Sequence, residues 1–458
     1  MSSTHVVPRA PGHLPLLGHS VAFLRDPLRF LSSLPAHGDL VRVRLGPFET
    51  VVVCDPELTH QVLLDDRTFD KGGPTFERAR GFSGSGLGTC PHSQHRRKRR
   101  MSQPAFHRAR LPDHARVMTA QVTAATTTWQ DGQALDIGAH LRGLTRTILL
   151  ETMFSTSLPT AVTAQLDEDL TALLAGWYRR MFVPRWALDL PTPGRRRFQR
   201  AVRRLRDTCA ALAADRQAGT ADHHDLLTTL ITAQDGDESG SRRRLTDTEI
   251  IDQLVDFMIG GTETISAALT WALYLLAIHP AVQQRLHAEA DSVLAGRPAT
   301  FDDVPNLRLT GQIFKETLRL HPSGWMITRA VSTETTLGGH TLPAGTNLVY
   351  SPYLVQRASE QYPHPDRFDP DRWAPQAPTP PPHSFIPFAA GARKCIGDAF
   401  ALTEAAIILS TIAARWQVSL VPGQDVRPVA GMTLHPTTGM RLRVVRRRPE
   451  PHNGAIRP

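Results

Sequence analysis

One short segment, Phe388-Ala-Ala-Gly391-Ala-Arg393-Lys394-Cys395-Ile-Gly397, constrains this chain of 458 residues more than any other. An apolar run from about Ile396 to Arg415 follows it and reads as a helix, so Cys395 stands at a helix start. The positive end of the helix dipole, the backbone N–H groups there and the charges of Arg393 and Lys394 all favour the thiolate, the form of cysteine that ligates metal. The flanking glycines let the backbone approach a flat group closely. A lone cysteine has no tetrahedral zinc set around it, so one axial bond to haem iron is the better fit. The competing reading of an isolated cysteine is a buried, inert thiol. That reading holds for Cys54, Cys90 and Cys209, which lack any comparable surroundings; the FxxGxRxCxG frame reverses it at Cys395.

The rest of the chain reads as mostly helix. Residues up to about Asp39 are rich in Pro and Leu and are expected to lie across the surface of the main body. Val41 to Val53 alternates apolar and polar residues about Gly46-Pro47, which predicts a hairpin. Apolar residues at spacings of three and four predict helices near 113–130, 140–155, 160–182, 198–218, 247–278, 281–295 and 307–320. Thr246 ahead of Glu249 has the pattern of a capping box. Short strands are expected on either side of Gly338-Gly339, and eight prolines between 361 and 384 exclude regular structure there. Neither a repeat nor a linker divides the chain.

Two further motifs stand out. Glu316 and Arg319 share a helix face at i, i+3, ordinarily a solvated surface pair. Ile259-Gly260-Gly261-Thr262-Glu263-Thr264 puts two glycines inside a long apolar helix, at roughly 1 kcal/mol each against alanine. Such a breach marks either close helix packing or function. The stretch Gly81-Phe-Ser-Gly-Ser-Gly-Leu-Gly88 resembles a phosphate cradle but lacks its spacing and its Gly-Lys-Ser/Thr ending; a mobile substrate-access loop is expected instead.

The cysteine segment resembles the haem-binding loop of the cytochrome P-450 family, the haem-thiolate monooxygenases, with five positions matching at fixed spacing. The resemblance runs from about Pro11 to Val445. It implies a mainly α fold with a small β portion, a single domain over 1–458 with flexible ends at 1–10 and 446–458. It implies haem b ligated by Cys395, with His95, Arg99, Arg329 and Arg393 binding the haem propionates. It makes Glu263 and Thr264 the acid–alcohol pair that relays protons, beside glycines that let the helix widen. It turns Glu316 and Arg319 into a buried ion network completed by Arg372, with Asp371 and Trp373 departing from the usual Glu and Phe without changing that role. Trp325, Met326, Ile327, Phe257, Gly260 and the region near Met432 are expected to border a lipophilic substrate. Within the family the chain is most like soluble actinobacterial terpenoid oxidases, which implies a cyclic sesquiterpene or similar terpenoid as substrate. A macrolide, a steroid, a fatty-acid-like molecule, or a rearrangement or cyclisation in place of oxygen insertion, are the alternatives.

Composition bounds the setting. Four cysteines with no CxxC pair favour a reducing, cytosolic compartment. The longest stretch without a charged residue, Thr264 to Gln284, contains His279 and Pro280 and reads as a core helix, so no membrane anchor is expected. A net charge of +9 suits an acidic ferredoxin, working with an NAD(P)H-dependent reductase, because 63 residues after Cys395 leave no room for a fused electron-transfer domain. The basic run His95 to Arg100 also admits a nucleic-acid-binding protein, the rival of another class.

Overall fold

The three-and-four spacing of apolar residues becomes helix wherever the sequence predicts one. The computed structural model describes residues 6–155, 158–183, 188, 190–219, 225–236 and 242–447. Its main helices are α1 (Ser20–Arg25), α2 (Gly73–Ser83), α3 (His92–Ser102), α4 (Leu111–Thr127), α5 (Ile137–Met153), α6 (Thr160–Phe182), α7 (Pro193–Ala218), α8 (Asp247–Ile278), α9 (Pro280–Leu294), α10 (Arg308–Leu320) and α11 (Asp398–Arg415). Their starts are set by local chemistry. Thr246 and Glu249 form the capping box of α8, and the Asp136 carboxylate accepts the Ala139 N–H at the start of α5. Pro280 opens α9, where its missing N–H costs nothing.

Helix α8 is the axis of the molecule. Every residue from Ile265 to Leu273 is buried, which identifies it as a core helix despite a length and hydropathy that would cross a membrane. Helices α4, α5, α7, α10 and α11 pack into the same hydrophobic core.

Strands are few. A five-stranded sheet joins β1 (Leu40–Leu45), β2 (Phe48–Val53), β3 (Phe69–Asp70), β5 (Ile327–Val331) and β6 (Asn347–Tyr350) in the order β1-β2-β6-β5-β3. The hairpin at Gly46 is as expected, and β6 adds to it in parallel, Leu348 opposite Val51. A second sheet joins β4 (Ala134–Asp136), β7 (Trp416–Leu420) and β10 (Arg441–Arg446); β8 (Pro428–Ala430) and β9 (Leu434–Pro436) form a hairpin. These strands beyond Arg415 were not legible in sequence, because their pairing is decided by partners as distant as residue 134.

The N-terminal stretch does more than lie on the surface. Val7, Ala10, Phe23 and Leu31 are buried, and the Arg42 N–H donates to Pro8 O at 2.7 Å. Of the ends expected to be flexible, 1–5 and 448–458 lie outside the described residues.

Candidate active site

The Cys395 loop is held by its backbone. The Cys395 N–H donates to Phe388 O at 2.9 Å, and Gly391 takes φ +65° where a side chain would strike the carbonyl of Leu63. Cys395 lines a cavity of about 460 Å³ bounded by α8 and by the start of α11, into which part of its surface is exposed. Burial pushes the thiol above its ordinary value; the Gly397 N–H, Arg99 and Lys71 pull against this, and Asp398 adds to it. The expected help from Arg393 and Lys394 is absent. Lys394 is paired with Asp398 at 2.5 Å. Arg393 spends its guanidinium on Asp66 at 2.9 Å, Asp70 at 2.8 Å and Cys90 O at 2.9 Å. Its place in the structure is to tie the cysteine loop to β3 and to the segment before α3.

One wall of the cavity collects basic side chains. Lys71, His95, Arg99 and Arg393 all line it. Burial, with Arg329 and Arg393 close by, lowers Lys71 to about 7. Burial, with Arg393, Lys71 and Arg99, lowers His95 to about 3, so His95 is a neutral donor. The two acids on the cavity wall are themselves driven towards the neutral form by burial: Asp256 rises to about 7, and Glu404, whose Oε1 has no hydrogen-bond partner, rises well above its usual range. Arg393 has its ionised partners in Asp66 and Asp70, but Lys71 and Arg99 meet only backbone carbonyls, Gly88 O and Lys394 O, and buried cations so placed are stabilised when an anion joins them. A flat group with two carboxylates at one edge and a metal accepting a sulfur ligand fits this cavity. Arg329 is buried within electrostatic reach of Lys71; it donates to Thr328 O and sits 5.4 Å from the Tyr350 ring. Lys71 is the wall residue that sequence reasoning missed, although it directly follows β3.

Helix α8 presents the proton-relay candidates on two different faces. Thr264 lines the cysteine cavity, its hydroxyl donating back to Gly260 O at 2.7 Å. Glu263 does not. Successive helical residues point about 100° apart, and Glu263 faces a second cavity of about 360 Å³ that also contains Arg142 and His435. Burial raises its carboxyl above the ordinary range, with Arg142 and His435 opposing. The two glycines divide the two readings between them. A Cβ on Gly261 would come within 2.6 Å of Leu149 on α5, which is close helix packing, whereas a Cβ on Gly260 meets nothing within 4 Å. The helix stays regular throughout; the space beside the cavity comes from the missing side chain, not from widening.

Behind the cysteine loop, Glu316 and Arg319 are fully buried and joined at 2.9 Å. Arg372 completes the ion network as expected, its Nε lying 3.6 Å from Glu316, but it makes no hydrogen bond there and donates to Pro363 O. The hydrogen bonds on Glu316 are completed by Trp373 Nε1 at 2.9 Å and by the Asp369 N–H at 3.1 Å. Trp373 therefore does alter the network, since it supplies a donor where a phenylalanine has none. Asp371 also has its own task, a two-pronged contact with Arg285 on α9 at 2.6 and 2.9 Å.

The glycine loop is a cradle after all, but an occupied one. Its first residues belong to α2. The N–H groups of Ser85, Leu87 and Gly88 are taken by Asp252, Gln253 and Asp256 of α8 at 2.7, 3.0 and 2.7 Å, and Lys98 holds Ser85 O. A side chain at Gly86 would collide with Asp256. The loop is pinned, contrary to the expected mobility. Of the residues expected around a substrate, Phe257, Gly260 and Ile327 line the cysteine cavity, while Met432 lines the second one. Trp325 is core, donating to Gly431 O.

The profile of the cytochrome P450 family matches residues 8–442. Pentalenene oxygenase of Streptomyces avermitilis is 42% identical over 447 residues, 97% of this chain and 99% of that one. Cyclooctat-9-en-7-ol 5-monooxygenase of Streptomyces melanosporofaciens is 44% identical over 416 residues, 90% of each chain. A crystal structure of the cytochrome P450DA haem domain superposes with a TM-score of 0.86 at 24% identity, covering 97% of this chain and 99% of that one, which speaks for the fold alone.

Proposed function

The chain belongs to the cytochrome P450 family of haem-thiolate monooxygenases, and we propose that it oxidises a cyclic terpenoid, of sesquiterpene size or similar, with electrons delivered by a ferredoxin. The observation that carries this reading is the make-up of the cysteine cavity. Beside the basic wall, Phe106, Met153, Phe257, Ile265 and Ile327 give the cavity an apolar body that suits a lipophilic molecule. The terpenoid substrate is supported by the activities for which the two similar Streptomyces enzymes are named.

Cys395 is the residue that holds the haem iron, with Lys71, His95 and Arg99 disposed to meet the carboxylate edge and Arg393 fastening the loop. Bound there, the haem supplies dioxygen activation and insertion of one oxygen atom into a C–H bond, favoured by the electron-rich thiolate. The chain's own residues manage protons and water. The Glu263 carboxyl, whose hold on its proton burial strengthens, takes protons from the second cavity, where the charges of Arg142 and His435 oppose that effect. The Thr264 hydroxyl holds a proton at Oγ1 on the cavity side, one residue further round α8.

The ferredoxin surface is the hollow outside the Cys395 loop, where Arg96, Arg99, Arg100, Arg110 and Lys394 outnumber one acid, Asp66. This charge suits an acidic partner and raises association rates at low salt. Of the basic run on α3, Arg97 is paired with Glu249 and Lys98 with Ser85 O, so it is not the free stripe that nucleic-acid binding needs.

The test is turnover of cyclic terpene hydrocarbons with labelled dioxygen, a ferredoxin and its NAD(P)H-dependent reductase. One labelled oxygen atom in the product is expected. Product free of label, or a preference for a macrolide or fatty acid over every terpene, overturns the substrate assignment. Arg96→Glu and Arg110→Glu are expected to slow reduction and to flatten its salt dependence.

A further inference from the structure

Apolar side chains exposed to water are not scattered evenly over this protein. Of the twelve strongly exposed large apolar residues among the described ones, five fall between Leu14 and Leu24. They are Leu14, Leu16, Leu17, Val21 and Leu24, with Leu16 at 85% and Leu24 at 61% exposure. Their backbone is built to present them. Leu14 and Gly18 exchange two N–H···O bonds of 2.9 Å each, closing a tight turn with Leu16 at its tip. Leu16 is held there at φ +62°, an unusual conformation for leucine. Helix α1 adds Val21 and Leu24 on one side, at i, i+3.

The base of this knob is rigid. The His19 N–H donates to Arg44 O at 2.7 Å, the His19 ring bonds Ala10 O and the Arg44 N–H at 3.0 Å each, and Gly18 bridges to Leu45 at the end of β1. Leucine at a fixed, protruding tip is the reverse of what a water-facing turn selects.

We propose that this knob docks the enzyme on the surface of an anionic lipid bilayer. A convex apolar tip suits a deformable acyl phase. The charge around it suits anionic headgroups: from Val6 to Arg29 the one acid is Asp26, which accepts the Arg29 N–H as a helix cap, against the exposed Arg9, Arg25 and Arg29. Shallow insertion of leucines with flanking arginines is how a protein without a spanning segment binds an interface. The position also has a use. The turn between β1 and β2, to which the knob is fastened, borders an apolar crevice lined by Leu45, Phe48, Met181 and Met326, and Met326 adjoins Ile327 of the cysteine cavity. A hydrocarbon dissolved in the bilayer would meet this crevice first; that link rests on the proposed terpenoid substrate, whereas the docking does not.

The experiment is sedimentation of the full-length holoenzyme with vesicles of phosphatidylglycerol and phosphatidylcholine, and with phosphatidylcholine alone, at low and physiological salt. Binding to the anionic vesicles is expected. The combined Leu16→Asp, Leu17→Asp, Leu24→Asp variant is expected to weaken it at least about tenfold, while its haem absorbance stays that of the parent. Aspartate tolerates the left-handed conformation at position 16, so the variant should fold. Leu16→Trp gives an independent readout, a blue shift of its emission on anionic vesicles. The basic hollow near Cys395 also attracts anionic lipid, so equal binding by the aspartate variant would assign the effect to that face and overturn the proposal. Absence of binding, or an unshifted Leu16→Trp emission, overturns it too. So does a dimer of the free protein that the aspartate variant abolishes while vesicle binding is nil, since the occupant is then a second copy.

Discussion

The two sides of the cysteine cavity are built by opposite means. Behind the sulfur, position is fixed by buried polar groups bonded to backbone: Arg319 alone reaches the carbonyls of Gln356, Pro365 and Arg367 as well as Glu316. Across the cavity, α8 from Phe257 onward offers Phe257, Gly260, Thr264 and Ile265, and shape does most of the positioning. The polar side trades adaptability for a single arrangement, since an unmet buried charge is costly. The apolar side can be reshaped at small cost by exchanging side chains of similar volume. Chemistry common to a family therefore belongs on the first, and substrate preference on the second.

Variants can break this contrast or sharpen it. The largest effect is expected from Cys395→Ser: the red-shifted Soret band of the reduced, carbon-monoxide-bound enzyme and all turnover should vanish, and a retained band would remove Cys395 as the ligand. Glu316→Ala strips the shared carboxylate from Arg319 and Trp373 and should cost about 3–5 kcal/mol of stability in chemical denaturation. A loss below about 1 kcal/mol would show that the polar side is no more rigid than the apolar one.

Thr264→Ala and Glu263→Gln should each lower product formation about 100-fold or more, with oxygen reduced to peroxide or water instead. Because burial raises the Glu263 carboxyl, its protonated form persists to higher pH than that of an ordinary glutamate. Coupling should then fall as pH rises through the raised value, and Glu263→Gln should be flat over the same range. Equal pH dependence in both proteins would detach the second cavity from the relay. The smallest effect is expected from Trp373→Phe, which removes one hydrogen bond to a buried carboxylate and should cost about 2 kcal/mol without changing the spectrum. No change would return Trp373 to the neutral substitution that its sequence context implies.

Much of this was legible in the residues. Helix positions followed from apolar spacing, the start of α8 from Thr246 and Glu249, and the ligand from the frame around Cys395. Legibility failed wherever a side chain had a choice of distant partners. Arg393 turned to Asp66 and Asp70, more than 300 positions away in the chain. The glycine loop was read as mobile because the acids that pin it lie on α8.

By itself, then, the sequence determined the helical order, the cysteine and the family, because each is encoded within a few consecutive residues by periodicity, capping or motif spacing. Tertiary structure alone decided that Thr264 and Glu263 line different cavities, that Trp373 adds a hydrogen bond to the Glu316–Arg372 ion pair, and that Leu16 stands out into solvent. Those outcomes depend on which surfaces the packed helices leave facing one another, and local spacing does not specify that.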